Sequence, residues 1–236
     1  MRIRFEYKGV GEIKNLQDVF VSYINNSLPE NNSHTNERCE YSISSLIGGE
    51  KISNNITKFN GIAYFFVTVP TYNTNFLAII RKGIKNNLNK IGGVLQYDKC
   101  CYINDTFNSN YVYISTISPI INRSKKVPIS IDDPNYLNIL NKNTINKLEE
   151  VSNKYNLNLN LKNFKIECAT DKLNRNKNHN KTTFYKGVKL LGGMCMLKIT
   201  TNSDVMSILY GLGLGMSTGI GFGAIYMTNN YSNHFK

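Results

Sequence analysis

Residues 211–223 read GLGLGMSTGIGFG: two Gly-hydrophobic-Gly elements, Gly213-Leu214-Gly215 and Gly221-Phe222-Gly223, separated by the five residues Met216 to Ile220. Glycine tolerates positive φ and lets a backbone bring its N–H groups close to a phosphate. The familiar nucleotide motifs do not fit. A P-loop needs a lysine after its last glycine, and none occurs between Lys198 and Lys236. A dinucleotide fingerprint needs a glycine where Met216 or Thr218 stands, and a βαβ unit for which the thirteen residues after Gly223 leave no room. A plainer reading is tight turning between a helix and a final strand. Val205 to Met227 also carries no charge, and Gly211, Gly215, Gly219 and Gly223 fall at the spacing of packed membrane helices. Each of the six glycines in this stretch costs a helix about 1 kcal/mol relative to alanine, which argues against a span.

Outward from the glycines, Asp204–Tyr210 reads as a short helix capped by Asp204 or Ser203, and Phe222–Met227 as the last strand. They close a longer series. Tyr111–Ile117 is strand-like, Tyr136–Tyr155 is helical with Asp133 as its expected N-cap, and Lys162–Ala169 and Val188–Thr200 are strands separated by the polar run Asp171–Lys181. The same order is clearer in the first half. Ile3, Phe5 and Tyr7 alternate with charged residues over Arg2–Lys8, and Leu16–Leu28 shows one apolar helical face that Pro29 ends. Glu37–Leu46 and Gly61–Val69 follow as strands, Phe76–Leu88 as an amphipathic helix and Gly92–Tyr102 as a fourth strand. Each half is βαββαβ. The fold class expected is α+β, two tandem ferredoxin-like (RRM-like) domains over residues 1–107 and 108–236, meeting in the polar stretch Asn104–Asn110.

With 41% hydrophobic residues, 236 residues are enough for two such cores. Twenty-eight basic against sixteen acidic side chains give a net charge of +12, which favours a polyanionic partner through counterion release. Five cysteines, an odd number with no CxxC spacing, suggest neither a disulfide framework nor a zinc site and suit a cytoplasmic protein. The basic N-terminus has no apolar run of signal-peptide length.

The two Gly-hydrophobic-Gly elements near the C-terminus resemble the glycine-rich loop of the RAMP superfamily, in particular its CRISPR repeat-processing endoribonucleases. Two further stretches are similar. Ser118-Pro119-Ile120 resembles the segment that opens that family's second domain. The helix ending at Tyr23–Leu28, then His34, then the strand Tyr41–Leu46, resemble its first helix, catalytic histidine and next strand.

The resemblance implies an endoribonuclease that cuts precursor CRISPR RNA within the repeat, with no metal or other cofactor, leaving a 2′,3′-cyclic phosphate and a 5′-hydroxyl. His34, in the polar loop Glu30–Arg38, would be the general acid or base, since its ordinary pKa lies near neutrality. Tyr23 and Lys51 are its candidate partners, and Arg38 is equally local. In the glycine loop, Gly213, Gly215, Ser217, Thr218, Gly221 and Gly223 would contact RNA, although the basic residue often found between the two elements is missing. Two basic clusters would add affinity: Arg123, Lys125 and Lys126, and Lys181, Lys186 and Lys189 around Tyr185. Either cluster reads equally well as a solvated face. The expected partners are a CRISPR repeat transcript and other subunits of a CRISPR effector complex, with no membrane, for a monomer or homodimer. A non-catalytic RNA-binding subunit of such a complex is the main alternative, and a small membrane protein anchored by Val205–Met227 is a third.

Overall fold

The computed structural model describes residues 1–28, 40–125, 127–169 and 179–228. In the first half, β1 (Arg2–Lys14) leads to α1 (Leu16–Asn26), then β2 (Ser42–Ile43), β3 (Ile47–Lys51), β4 (Ile56–Thr68), α2 (Thr74–Asn86) and β5 (Gln96–Ile103). The strands order β2-β4-β1-β5, with β3 also paired to β4. Every pairing is antiparallel. The alternation in β1 works as expected: Ile3, Phe5 and Tyr7 are fully buried against Phe20 and Ile24 of α1 and Ile80 and Ile84 of α2. Of the strand expected over Glu37–Leu46, Glu37 to Cys39 lie outside the described residues, and the remainder is the short β2, followed by a separate β3. Between them Phe66 N donates to the Ser44 hydroxyl (2.9 Å) instead of extending the backbone ladder, and within β3 the register shifts, Ile47 facing Tyr64 but Gly49 facing Phe59.

The second half runs β6 (Tyr111–Thr116), β7 (Arg123–Ser124), β8 (Val127–Pro128), α3 (Tyr136–Lys154), β9 (Lys165–Cys168), β10 (His179–Tyr185), β11 (Val188–Met194), β12 (Met196–Thr200), α4 (Ser203–Leu212) and β13 (Ile225–Met227). Its main sheet orders β13-β6-β12-β9, again antiparallel. Taking the first, second, third and fourth strands of each half, both sheets have the order four-one-three-two, with two helices packed on one face. The protein is two tandem ferredoxin-like domains.

Two expectations for this half are corrected. Val188–Thr200 is two strands, because the Cys195 N–H donates to Thr116 Oγ1 (3.1 Å) instead of continuing one ladder. β11 then pairs with β10 as a separate hairpin inserted between the second and third strands of the sheet. The caps also differ: Asn202 Oδ1 accepts from Val205 N at the start of α4 (2.9 Å), and Asn135 rather than Asp133 precedes α3. α4 stops at Gly213, whose φ is 69°. Among the described residues, no helix is long and apolar enough to cross a membrane.

Arg2 joins the halves. Its side chain is buried, with Nε donating to Thr68 Oγ1 (2.9 Å) and Nη2 to the Ile225 carbonyl, while the guanidinium carbon lies 4.2 Å from the Tyr210 ring centre.

Candidate functional site

The glycine loop lies where the two domains meet. Leu214 N donates to Gly223 O (2.9 Å), so the two Gly-hydrophobic-Gly elements are clasped together. Gly213 and Gly223 have φ values of 69° and 65°, and a Cβ on Gly223 would stand 1.9 Å from Leu214 O. No other residue fits that crossing. The segment after β6 straps the loop from its own domain: Gly223 N donates to Pro119 O, Met216 N to Ile121 O, and Ala224 N to Ser118 Oγ. The pairing of Ser118-Pro119-Ile120 with the glycine motif is therefore physical contact.

The first domain holds the loop from the other side. Gln17 Nε2 donates to Ile220 O (2.5 Å), Ser45 Oγ to Gly221 O (3.0 Å), and the buried Thr218 hydroxyl to Tyr41 O (3.0 Å). From beneath, Lys147 of α3 donates Nζ to Leu212 O at 2.9 Å. Its cation thus sits at the C-terminus of α4, where the helix dipole favours it. The charge missing from the loop's own sequence is present under it. Among the described residues, no backbone carbonyl accepts from the N–H groups of Ser217, Thr218 or Gly219.

Beside the loop, and sharing Gln17 and Ser45 with it, a cleft of about 230 Å³ opens between the domains. Its walls come from the start of α1, the β3–β4 arm including Lys51, Asn54 and Asn55, and β10 residues Lys181 to Phe184. The β10–β11 hairpin turns through Lys186 and Gly187, both at positive φ, and Lys186 N donates to Asp18 Oδ1 (2.7 Å), docking the hairpin tip on α1. Lys181 is exposed as a residue, yet its ammonium is partly desolvated. Its pKa is held below the ordinary lysine value, first by that desolvation and then by the charge of Lys51.

The family model for the CRISPR associated protein Cas6, C-terminal, matches residues 102–227, more than half of the chain. The chain belongs to the Cas6 family. No curated protein matches it. Among solved structures, it is similar to a RAMP protein described as binding different RNA substrates, at 16% identity over 96% of this chain and 99% of that one, with a TM-score of 0.79. A Cas6-related protein from Pyrococcus furiosus gives a TM-score of 0.78 at 18% identity, covering 98% and 99% of the two chains. Another structure described as CRISPR associated protein Cas6 gives 0.74 at 19% identity, covering 96% and 98%. At these identities the likeness is one of fold, and it spans both domains.

Within this Cas6 fold the expected site residues separate. His34, Arg38 and Lys126 lie outside the described residues. Lys51 lines the cleft. Tyr23 does not: it is buried in the first domain's core, its hydroxyl accepts from Tyr7 OH (3.2 Å), and burial raises its pKa. Arg123 is half-buried and Lys125 exposed, on the β7–β8 hairpin just past the Ile121 strap. Lys186 stands at the tip of the β10–β11 hairpin, and Lys189 is exposed opposite Phe184. Gln17, Ser45, Asn54 and Lys147 carry no signal in the sequence. Each is an ordinary polar residue whose position at the site depends on tertiary pairing.

Proposed function

We propose that this Cas6-family protein is an endoribonuclease that cuts precursor CRISPR RNA within its repeat. The 2′-hydroxyl attacks the adjacent phosphate, leaving a 2′,3′-cyclic phosphate and a 5′-hydroxyl. The observation that carries this reading is the anchoring of the glycine loop. Thr218 holds Tyr41, seven residues after His34, while Gln17 and Ser45 connect the same loop to the cleft that Lys51 lines. In this reading His34 moves the proton at the attacking or departing oxygen. Lys51 offsets the extra negative charge of the pentacoordinate transition state. The N–H groups around Ser217 to Gly219 and the cations Arg123, Lys125, Lys186 and Lys189 hold flanking phosphates. Tyr23 packs the core, since its side chain is buried and its hydroxyl accepts from Tyr7.

Incubating repeat RNA with the protein in chelator should yield a cyclic-phosphate product. His34→Ala should slow cleavage by roughly 100- to 10,000-fold, the usual contribution of a general acid or base, with RNA affinity retained. Full activity in His34→Ala would remove the histidine from the mechanism. One observation favours a second reading, a non-catalytic RNA-binding subunit: the five residues between the Gly-hydrophobic-Gly elements contain no cation. That reading predicts tight, salt-dependent binding of repeat RNA with no product from the wild-type chain.

A further inference from the structure

β10–β11 belongs to the second domain by sequence, yet it pairs with no strand of that domain's main sheet and is tied at its tip to the first domain through Asp18. The hairpin thereby carries Lys181 to the wall of the cleft opposite the β3–β4 arm, which carries Lys51. Lysines prefer to stay apart and in water, where each keeps its hydration. Two of them converging on one small cleft raise the positive potential there, since low-dielectric walls focus the field.

The one carboxylate among the described residues of the cleft, Asp18, has an oxygen committed to the hairpin turn. Gln17 already donates to the glycine loop. Phe184, three residues along the same strand, also lines the cleft and is 50% exposed, which leaves part of its ring open to a ligand. The cation pair matches a phosphodiester of the RNA, and the half-exposed ring, three residues further along the strand, matches a base next to it in the chain.

We propose that Lys51 and Lys181, one from each domain, hold a single phosphodiester of the RNA between them, with Phe184 as the stacking surface for an adjacent base. The lowered pKa of Lys181 fits such a site, because a bound phosphate relieves the repulsion between the two ammoniums. The proposal rests on the RNA-directed reading above, and it does not depend on whether the RNA is cut. It also accounts for the inserted hairpin, since RNA in the cleft touches both domains at once.

The test is a scan of the repeat RNA in which each phosphate in turn is replaced by a neutral methylphosphonate, with affinity measured by fluorescence anisotropy on the full chain. If the wild type cuts the RNA, a 2′-deoxyribose at the mapped cut site keeps it intact. One phosphate should carry a loss of about tenfold in the wild type. The same phosphate should become less sensitive in both Lys51→Ala and Lys181→Ala, each of which should itself bind about tenfold more weakly. Lys181→Arg should restore most of the affinity, and Phe184→Ala should weaken binding about tenfold.

An undiminished methylphosphonate penalty in Lys181→Ala, or penalties for the two lysines at different phosphates, would overturn the shared site while leaving the nuclease reading intact. The expected scan on a protein that makes no product would uphold the shared site and overturn the nuclease. No affinity of the wild type for repeat RNA would overturn both.

Discussion

The glycine loop and the cleft beside it lie side by side and are built on opposite terms. The loop has few free bonds: its two Gly-hydrophobic-Gly elements are clasped to each other, to Pro119 and to Ser45, and Met216, Thr218 and Ile220 between them are bonded to Ile121, Tyr41 and Gln17. Among the described residues, the cleft sets two lysines against one carboxylate, which already accepts from the hairpin turn, and holds a half-exposed phenylalanine. The conspicuous motif therefore acts first as a joint between domains, while the adjoining surface suited to a ligand follows no motif at all. Surfaces that remain uncompensated in the protein are the ones that gain most when a partner arrives.

Breaking the joint should have the largest effect. In Gly223→Ala the residue must keep a φ of 65°, and its Cβ would lie 1.9 Å from Leu214 O, with Thr218 Cγ2 at 3.2 Å. The left-handed region costs alanine about 1–2 kcal/mol, and forcing the neighbouring backbone aside adds about as much again. A loss of roughly 3 kcal/mol in urea unfolding is expected, with RNA affinity falling because the loop and both its anchors shift. Gly187→Asn is the contrasting change. That glycine, at φ 73° in the β10–β11 turn, has nothing within 4 Å of its Cβ, so stability should change by less than about 1 kcal/mol. If Gly223→Ala unfolded like the wild type and lost only RNA affinity, the loop would be a ligand cradle rather than a joint.

Lys147 should give the next largest effect. Its ammonium is buried and donates to Leu212 O where α4 enters the loop. Lys147→Met keeps most of the stem but leaves that carbonyl without its charged donor. The expected cost is about 1.5–3 kcal/mol, the usual range for a hydrogen bond to a charged group, read as a lower denaturant midpoint. An unchanged midpoint would show that the carbonyl finds water instead, and the joint would then be looser than its contacts indicate.

The parts of this molecule that were legible in its sequence are those set by local pattern. Ile3, Phe5 and Tyr7 alternate because one face of β1 is covered, and the same logic places β4, β6 and the four helices. The order of those elements is what makes two ferredoxin-like halves. What was not legible depends on partners far away in the chain. The β10–β11 hairpin begins in the polar residues His179 to Lys181, which show no strand-like apolar alternation and pair only because Gly192 to Met194 return beside them. Lys147 reads as one more helix lysine until Leu212 is folded against it. The loop was recognisable as a motif, but its role as a joint was not, since Gln17, Tyr41 and Ser45 belong to the other domain. Tyr23 shows the reverse: a hydroxyl that looked available beside a candidate histidine is engaged by Tyr7.

The smallest expected effect is also the most specific to the cleft. Two causes hold the Lys181 pKa below the ordinary lysine value, desolvation first and the positive charge of Lys51 second. Both disfavour the charged ammonium, so removing either must raise the pKa. Lys51→Met keeps an unbranched apolar stem on the arm and removes only the charge. The Lys181 pKa, followed by NMR of its side-chain amine, should therefore rise in that variant. It should rise only part of the way, because the larger cause is left in place. A full return to the ordinary value would mean that the cleft is wet and that repulsion alone sets the shift. No change would mean that the two ammoniums do not sense each other across the cleft, and that the second domain's hairpin is held there for shape instead of charge.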